Sequence, residues 1–247
     1  MEGDIGLIVE ATRKASRYLQ RDYFELESLQ SSSQGTSNFC NKSCNKVLQT
    51  LHENLSKYYK TVIFDNKEAE KSDFSGKAVF VETLDGLDNL GRALPFFAIM
   101  VTMVYKKDGE VIAERSVMNF PALGEIYYTE KGRGVWLERH SSNLAGVLRS
   151  RVSGSSDLSK ALVATNCEHI DVAQKFSPNL RVYESYSYAL ALLVSGKADV
   201  MIANERALSE LGVKLFVSEA AGSYITDKGL IIASNFKLAE EIKSRSA

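Results

Sequence analysis

The acids best placed to do chemistry lie in residues 78–104, AVFVETLDGLDNLGRALPFFAIMVTMV. An apolar, β-branched run at 78–81 ends in two carboxylates three apart, Glu82 and Asp85, and a second strand-like run follows at 96–104. The loop between them holds Gly86, Asn89, Gly91 and Pro95. Carboxylates at the end of a buried strand, beside a glycine turn with free main-chain N–H groups, can hold a divalent cation and a phosphate oxygen together. The same turn residues also fit a plain hairpin with solvated acids, so a site needs further ligands from elsewhere in the chain.

Those ligands depend on the elements around the loop. Over residues 5–19, Ile5, Ile8, Val9, Ala11, Thr12, Ala15, Tyr18 and Leu19 share one face, opposite Glu10, Arg13, Lys14 and Arg17, which predicts an amphipathic helix on a core. Residues 28–38 contain SSSQGTSN and are expected to be a loop, and helical periodicity returns over 46–58. TVIF at 61–64 reads as a short strand ending at Asp65. A hairpin signal, KKDGE, follows the 96–104 strand, and strands at 111–117 and 125–129 continue an antiparallel meander. Gly132 and Gly134 in EKGRGVWLE suit a hairpin turn, because no strand-to-helix switch accompanies them. From 161 onward strand and helix alternate, which suggests a layered α/β lobe, with the two lobes (1–150 and 151–247) closely joined.

Composition narrows the possibilities. A chain of 247 residues, 45% hydrophobic, can bury a substantial core, and 30 basic against 31 acidic residues leave a formal charge of −1. No whole-protein field draws it to nucleic acid or an anionic membrane. Arg149, Arg151 and Lys160 form at most a local basic patch, more simply an ordinary solvated face. The apolar runs are too short to span a bilayer, and the acidic start lacks a signal-peptide pattern, so a cytoplasmic protein is expected. Cys40, Cys44 and Cys167 have no C-x-x-C spacing and, with three histidines, make no zinc set; packed, reduced thiols are expected.

In order along the chain, ATRKASRYLQRDYFELESLQ, ETLDGLDNLGRALPFFAI, EIYYTEKGRGVWLE, SEAAGSYITDKG and IIASNFKLAEEI resemble segments of the inositol monophosphatase family. The second is similar to that family's D-P-[IL]-D-G-T-x-N-F…P-x-F-A-[IV] motif and the fourth to its E-A-G-G-x-x-[TS]-D-x-x-G ending. The likeness covers nearly the whole chain and is strongest to the bacterial extragenic-suppressor branch. It implies a mixed α/β fold, a five-layered αβαβα sandwich, usually homodimeric. The implied activity is a lithium-sensitive, Mg²⁺-dependent phosphomonoesterase acting on a small sugar or polyol phosphate. In such chemistry one metal lowers the pKa of an attacking water and another stabilises the leaving oxygen.

The resemblance assigns Glu82 and Asp85 as the catalytic acids, with Asp65, Glu82, Leu84, Asp85 and Glu210 as the metal set. Gly86, Leu87, Ser185 and Glu205 become the substrate-binding set. Several of these positions depart from the family pattern. Glu82 stands for Asp, Thr83 for Pro, and Leu87 for the threonine that helps activate water. The family's paired glutamates fall on Asp65 and Asn66, a loop acid on Cys44 and a lysine on Gln34. The C-terminal aspartate falls on Ser209 or on Glu210, depending on the direction of matching. A methylene added at Glu82 moves its carboxylate by about 1.5 Å, which is large against Mg²⁺–oxygen distances of ~2.1 Å. Two expectations follow: weak or lost phosphatase activity at one Mg²⁺ site, or a non-catalytic member that binds a partner such as the rRNA transcription-antitermination machinery.

Overall fold

The structure, a computed structural model, describes residues 3–29, 33–71, 74–140 and 146–246. Helices α1 (Asp4–Leu29) and α2 (Ser33–Leu55) form one outer layer. The apolar stripe expected over 5–19 continues through Tyr23 and Leu26, so α1 runs well past the expected end. The loop expected at 28–38 is corrected: apart from residues 30–32, which lie outside the described residues, that stretch is helical. Packing overrides composition here. Cys40 is buried against α1, and the Ser43 hydroxyl donates to the buried Asp22 carboxylate at 2.5 Å.

The second layer is a seven-stranded sheet in simple sequence order: β1 (Thr61–Ile63), β2 (Gly76–Asp85), β3 (Ala98–Lys107), β4 (Glu110–Phe120), β5 (Glu125–Glu130), β6 (Val135–Arg139) and β7 (Gly146–Ser150). The first pair is parallel and the rest are antiparallel, as the meander predicted. Two short helices not foreseen in the loops, α3 (Asn66–Lys71) and α4 (Leu87–Gly91), flank β2. One face of the sheet buries Val79, Val81, Ile99, Val101 and Val117 against α1 and α2. The other buries Ala98, Met100, Met118 and Phe120 against a helical layer of α6 (Tyr186–Val194) and α7 (Glu210–Glu219).

Beyond those helices lies a five-stranded sheet made from β8 (Val163–Thr165), β9 (Leu180–Val182), β10 (Val200–Asn204), β11 (Ser223–Asp227) and β12 (Leu230–Ser234), in the order β11-β12-β10-β8-β9. Its outer face is closed by α5 (Ile170–Gln174) and α8 (Phe236–Ser246), which bury Ala173, Leu238 and Ile242 on Val163, Val200 and Ile232. The layers therefore run αβαβα, the sandwich expected.

Gly212 shows how tightly α7 sits on the first sheet. A Cβ there would come within 3.0 Å of Thr102 Oγ1, Met100 Cε and Ser116 Oγ. Thr102 and Ser116 are both fully buried and hydrogen-bonded to each other at 2.8 Å, so neither can move without breaking that bond. Gly212→Ala should therefore cost about 2 kcal/mol net, despite alanine's better helix propensity. Urea unfolding followed by circular dichroism measures it, and an unchanged midpoint would contradict this packing.

Candidate active site

β2 brings Glu82 and Asp85 to one side of the sheet through an irregularity. In a regular strand, residues three apart face opposite sides. Here Glu82 pairs with Met100 and Asp85 with Ala98, three steps on β2 against two on β3. The extra residue turns Leu84 back into the core under α1 and α2 and points Asp85, like Glu82, toward α6 and α7. Gly86 follows in the left-handed region (φ 84°) and opens α4.

Both acids are engaged by the chain itself. Asp85 is 4% exposed, and its Oδ2 accepts the Ser185 hydroxyl at 2.6 Å and the Ser187 main-chain N–H at 2.9 Å. Ser185 is the N-cap of α6 and also accepts the Tyr188 N–H, so the helix start is built around this carboxylate. Arg206 Nη1 lies 4.0 Å from the other oxygen, Asp85 Oδ1. Glu82 Oε2 accepts the Tyr186 hydroxyl at 3.5 Å, and the Ser209 hydroxyl is within hydrogen-bonding reach of the same phenol. The Arg206 guanidinium stacks over the Tyr186 ring, 5.0 Å from its centre. Burial pushes Glu82 up to about 7, with the Asp85 charge adding to it; burial also raises Asp85 in spite of its hydrogen bonds.

The other residues singled out in the sequence lie in different surroundings. Asp65 is exposed and caps α3, its Oδ1 accepting the N–H groups of Lys67 and Glu68 at 2.9 and 3.2 Å. Asn66 Oδ1 accepts the Leu208 N–H at 3.1 Å, tying α3 to the loop before α7. Cys44 Sγ is 3.6 Å from Thr83 Oγ1. Glu210 is paired with Lys214 one turn along α7, whereas Ser209 faces the Tyr186 phenol. Leu87 is 40% exposed and apolar. Glu205 holds its place by a main-chain bond to Gly229, and its neighbours Asn204 and Arg206 line the cleft. The Gln34 side chain lies outside the described residues.

The cleft beside Asp85 is small and polar. Ser185, Asn166, Glu184, Asn204 and Arg206 line about 50 Å³ of water-accessible space, enough for a water or two and below the several hundred typical of ligand pockets. A magnesium ion does not fit this donor set. It needs several hard, negative oxygens in near-octahedral array. The acids at this cleft are Glu82, which accepts the Tyr186 hydroxyl, Asp85, committed to two donors with a guanidinium at its side, and Glu184, whose Oε1 accepts the Cys167 N–H at 2.7 Å. Tyr186 and Arg206 are the site residues sequence reasoning missed. The signals were a tyrosine heading the largely apolar helix YSYALALLV and a lone base beside Glu205 in NERALSE.

Comparison with known proteins gives this arrangement its context. The chain is 26% identical over 262 residues to an inositol-1-monophosphatase of Rhizobium meliloti, covering 97% of this chain and 94% of that one. Over nearly its whole length the chain is similar to the inositol monophosphatase family. No family model matches the chain. The Escherichia coli Nus factor SuhB is 25% identical over 164 residues, 65% of this chain and 57% of that one. The extragenic suppressor protein SuhB of Bartonella henselae has the same fold, with a TM-score of 0.77 at 21% identity, over 99% of this chain and 98% of that one. Among the described residues no helix is long and apolar enough to cross a membrane.

Proposed function

We propose that this chain is an inositol-monophosphatase-family protein that acts by binding, with metal-dependent phosphomonoester hydrolysis reduced to a trace or lost. The observation that carries this reading is the engaged acid pair: Glu82 accepts the Tyr186 hydroxyl, and Asp85 is held by Ser185 and Ser187 with Arg206 beside it. Phosphatases of this kind need charged carboxylates free to hold Mg²⁺ and a group that orients the attacking water. Leu87 has no hydroxyl for the second task, a loss that alone would cost on the order of 10²-fold in rate. What remains suits recognition of an anion: the half-exposed Arg206 guanidinium at the cleft can hold a phosphate oxygen of a small sugar or polyol phosphate without any metal. A partner in the transcription machinery is the second reading, favoured by the name of the Escherichia coli relative, a Nus factor.

The test is hydrolysis of inositol 1-phosphate and of an aryl phosphate with Mg²⁺ or Mn²⁺, beside an Asp85→Asn control prepared identically. No turnover above the control, and no millimolar metal binding by calorimetry, is the expected result. Turnover that requires metal and vanishes in the control would overturn the reading.

A further inference from the structure

Two buried carboxylates, Glu82 and Asp85, face a single cation. Arg206 Nη1 lies 4.0 Å from Asp85 Oδ1, and among the described residues neither acid makes any other ion pair. The Arg206 charge opposes the effect of burial at three groups together, Glu82, Asp85 and Tyr186. Its backbone is fixed on both sides. The Glu205 N–H donates to the Gly229 carbonyl at 2.8 Å, and the Arg206 carbonyl accepts the N–H groups of Ser209 and Glu210 at 3.0 and 2.8 Å. Stacking on the Tyr186 ring then directs the guanidinium toward Asp85, with which it lines the cleft. The Arg206 side chain is 42% exposed against 4% for Asp85, so it stands between the acid and solvent.

Each acid keeps one oxygen out of the hydrogen-bond network. Asp85 Oδ2 accepts from Ser185 and Ser187, and Glu82 Oε2 accepts from Tyr186. Asp85 Oδ1 and Glu82 Oε1 accept no hydrogen bond among the described residues, and 4.0 Å is too long for one from Arg206, which meets Oδ1 through charge alone. One or two carboxylate oxygens completed by waters hold a small dication weakly. With the guanidinium in place, such an ion would meet a like charge. Being tethered, the guanidinium competes at an effective concentration on the order of millimolar, whatever the solution holds.

We propose that Arg206 is the resident cation of this site: it supplies the charge that balances the acid pair and thereby excludes a dication, so that loss of this one charge opens a weak divalent-metal site on Asp85 and Glu82. The inference rests on the metal-free binding reading given above. The probe is Mn²⁺, titrated into the whole protein by calorimetry at pH 8 and constant ionic strength. No saturable binding is expected in the parent or in Arg206→Lys, which keeps the charge. Saturable millimolar binding is expected in Arg206→Ala and in Arg206→Gln, and it should disappear when Asp85→Asn is added. At Mn²⁺ about ten times the dissociation constant, the neutral variants should melt about 3–6 °C higher than without it, while the parent does not move. Arg206 is half-exposed, so the variants are expected to fold, and circular dichroism checks it. No Mn²⁺ binding by either neutral variant, or binding that survives Asp85→Asn, would overturn the proposal and leave the metal-free reading standing. Saturable Mn²⁺ binding by the parent would overturn both.

Discussion

Gly86→Ala is expected to destabilise the protein by about 3–4 kcal/mol. Two costs coincide at this position. The backbone is left-handed, at φ 84°, where a side chain costs about 1 kcal/mol or more relative to glycine. A Cβ would also sit 2.5 Å from the Phe96 carbonyl oxygen and 3.1 Å from Phe97 Cα. These are main-chain atoms at the entry to β3, so they cannot turn aside as a flexible side chain would, and overpacking of this sort costs roughly a further 1–3 kcal/mol. Gly109, in the β3–β4 turn, separates the two terms: its φ is 86°, but nothing lies within 4 Å of its Cβ position. Denaturant unfolding of both alanine variants should show Gly109→Ala losing about 1 kcal/mol and Gly86→Ala several times that. Equal losses would mean that the close approach of the Asp85–Gly86 turn to β3 contributes nothing.

Glu82→Gln is expected to stabilise the protein at alkaline pH. Glu82 has its pKa raised from 4.5 to about 7 in the folded state, so the folded chain binds this proton more tightly than the unfolded chain. For a carboxyl shifted upward, stability is greatest below the unfolded value and falls as pH rises from about 4.5 through about 7. Above that window the charged form carries a cost of about 3 kcal/mol, at about 1.4 kcal/mol per pH unit of difference. Glutamine stays neutral and can still accept the Tyr186 hydroxyl. At pH 8 the variant should therefore melt higher, by about 6–12 °C for a chain of this size, and at pH 4.5 it should match the parent. Thermal melts across that range check this. Were Glu82 a working ligand of a bound dication, the same substitution in the presence of Mg²⁺ would lower the melting temperature at pH 8.

Much of the architecture was legible because the buried patterns are clean. The β2–β3 pair, the meander through β6 and the alternation after residue 161 all follow from runs whose period matches their burial. The serine-rich stretch before residue 39 misled because its polar side chains say loop, while contacts such as Cys40 and the Asp22–Ser43 bond, invisible to composition, make it helix. In the site, Glu82, Asp85 and Gly86 could be found from spacing, although the bulge that turns both acids to one side could not. Asp65 and Glu210 were assigned as ligands by the resemblance. Each is taken up locally, one by main-chain N–H groups two and three residues on, the other by a lysine four residues on. Tyr186 and Arg206 went unnoticed because they act by filling and neutralising a space, which motif spacing does not express.

The two sheets also differ in how far along the chain their contacts reach. The seven-stranded sheet joins sequence neighbours throughout, so its strands can pair with little loop-closure entropy to overcome. The bond from Ser185 to Asp85 spans 100 residues, and that from Tyr186 to Glu82 spans 104. The acid pair is thus desolvated by contacts of long sequence separation, those that close when one half of the chain docks on the other. Its carboxylates stay in water, charged and free, for as long as the halves are apart, and their protonation is coupled to that docking step.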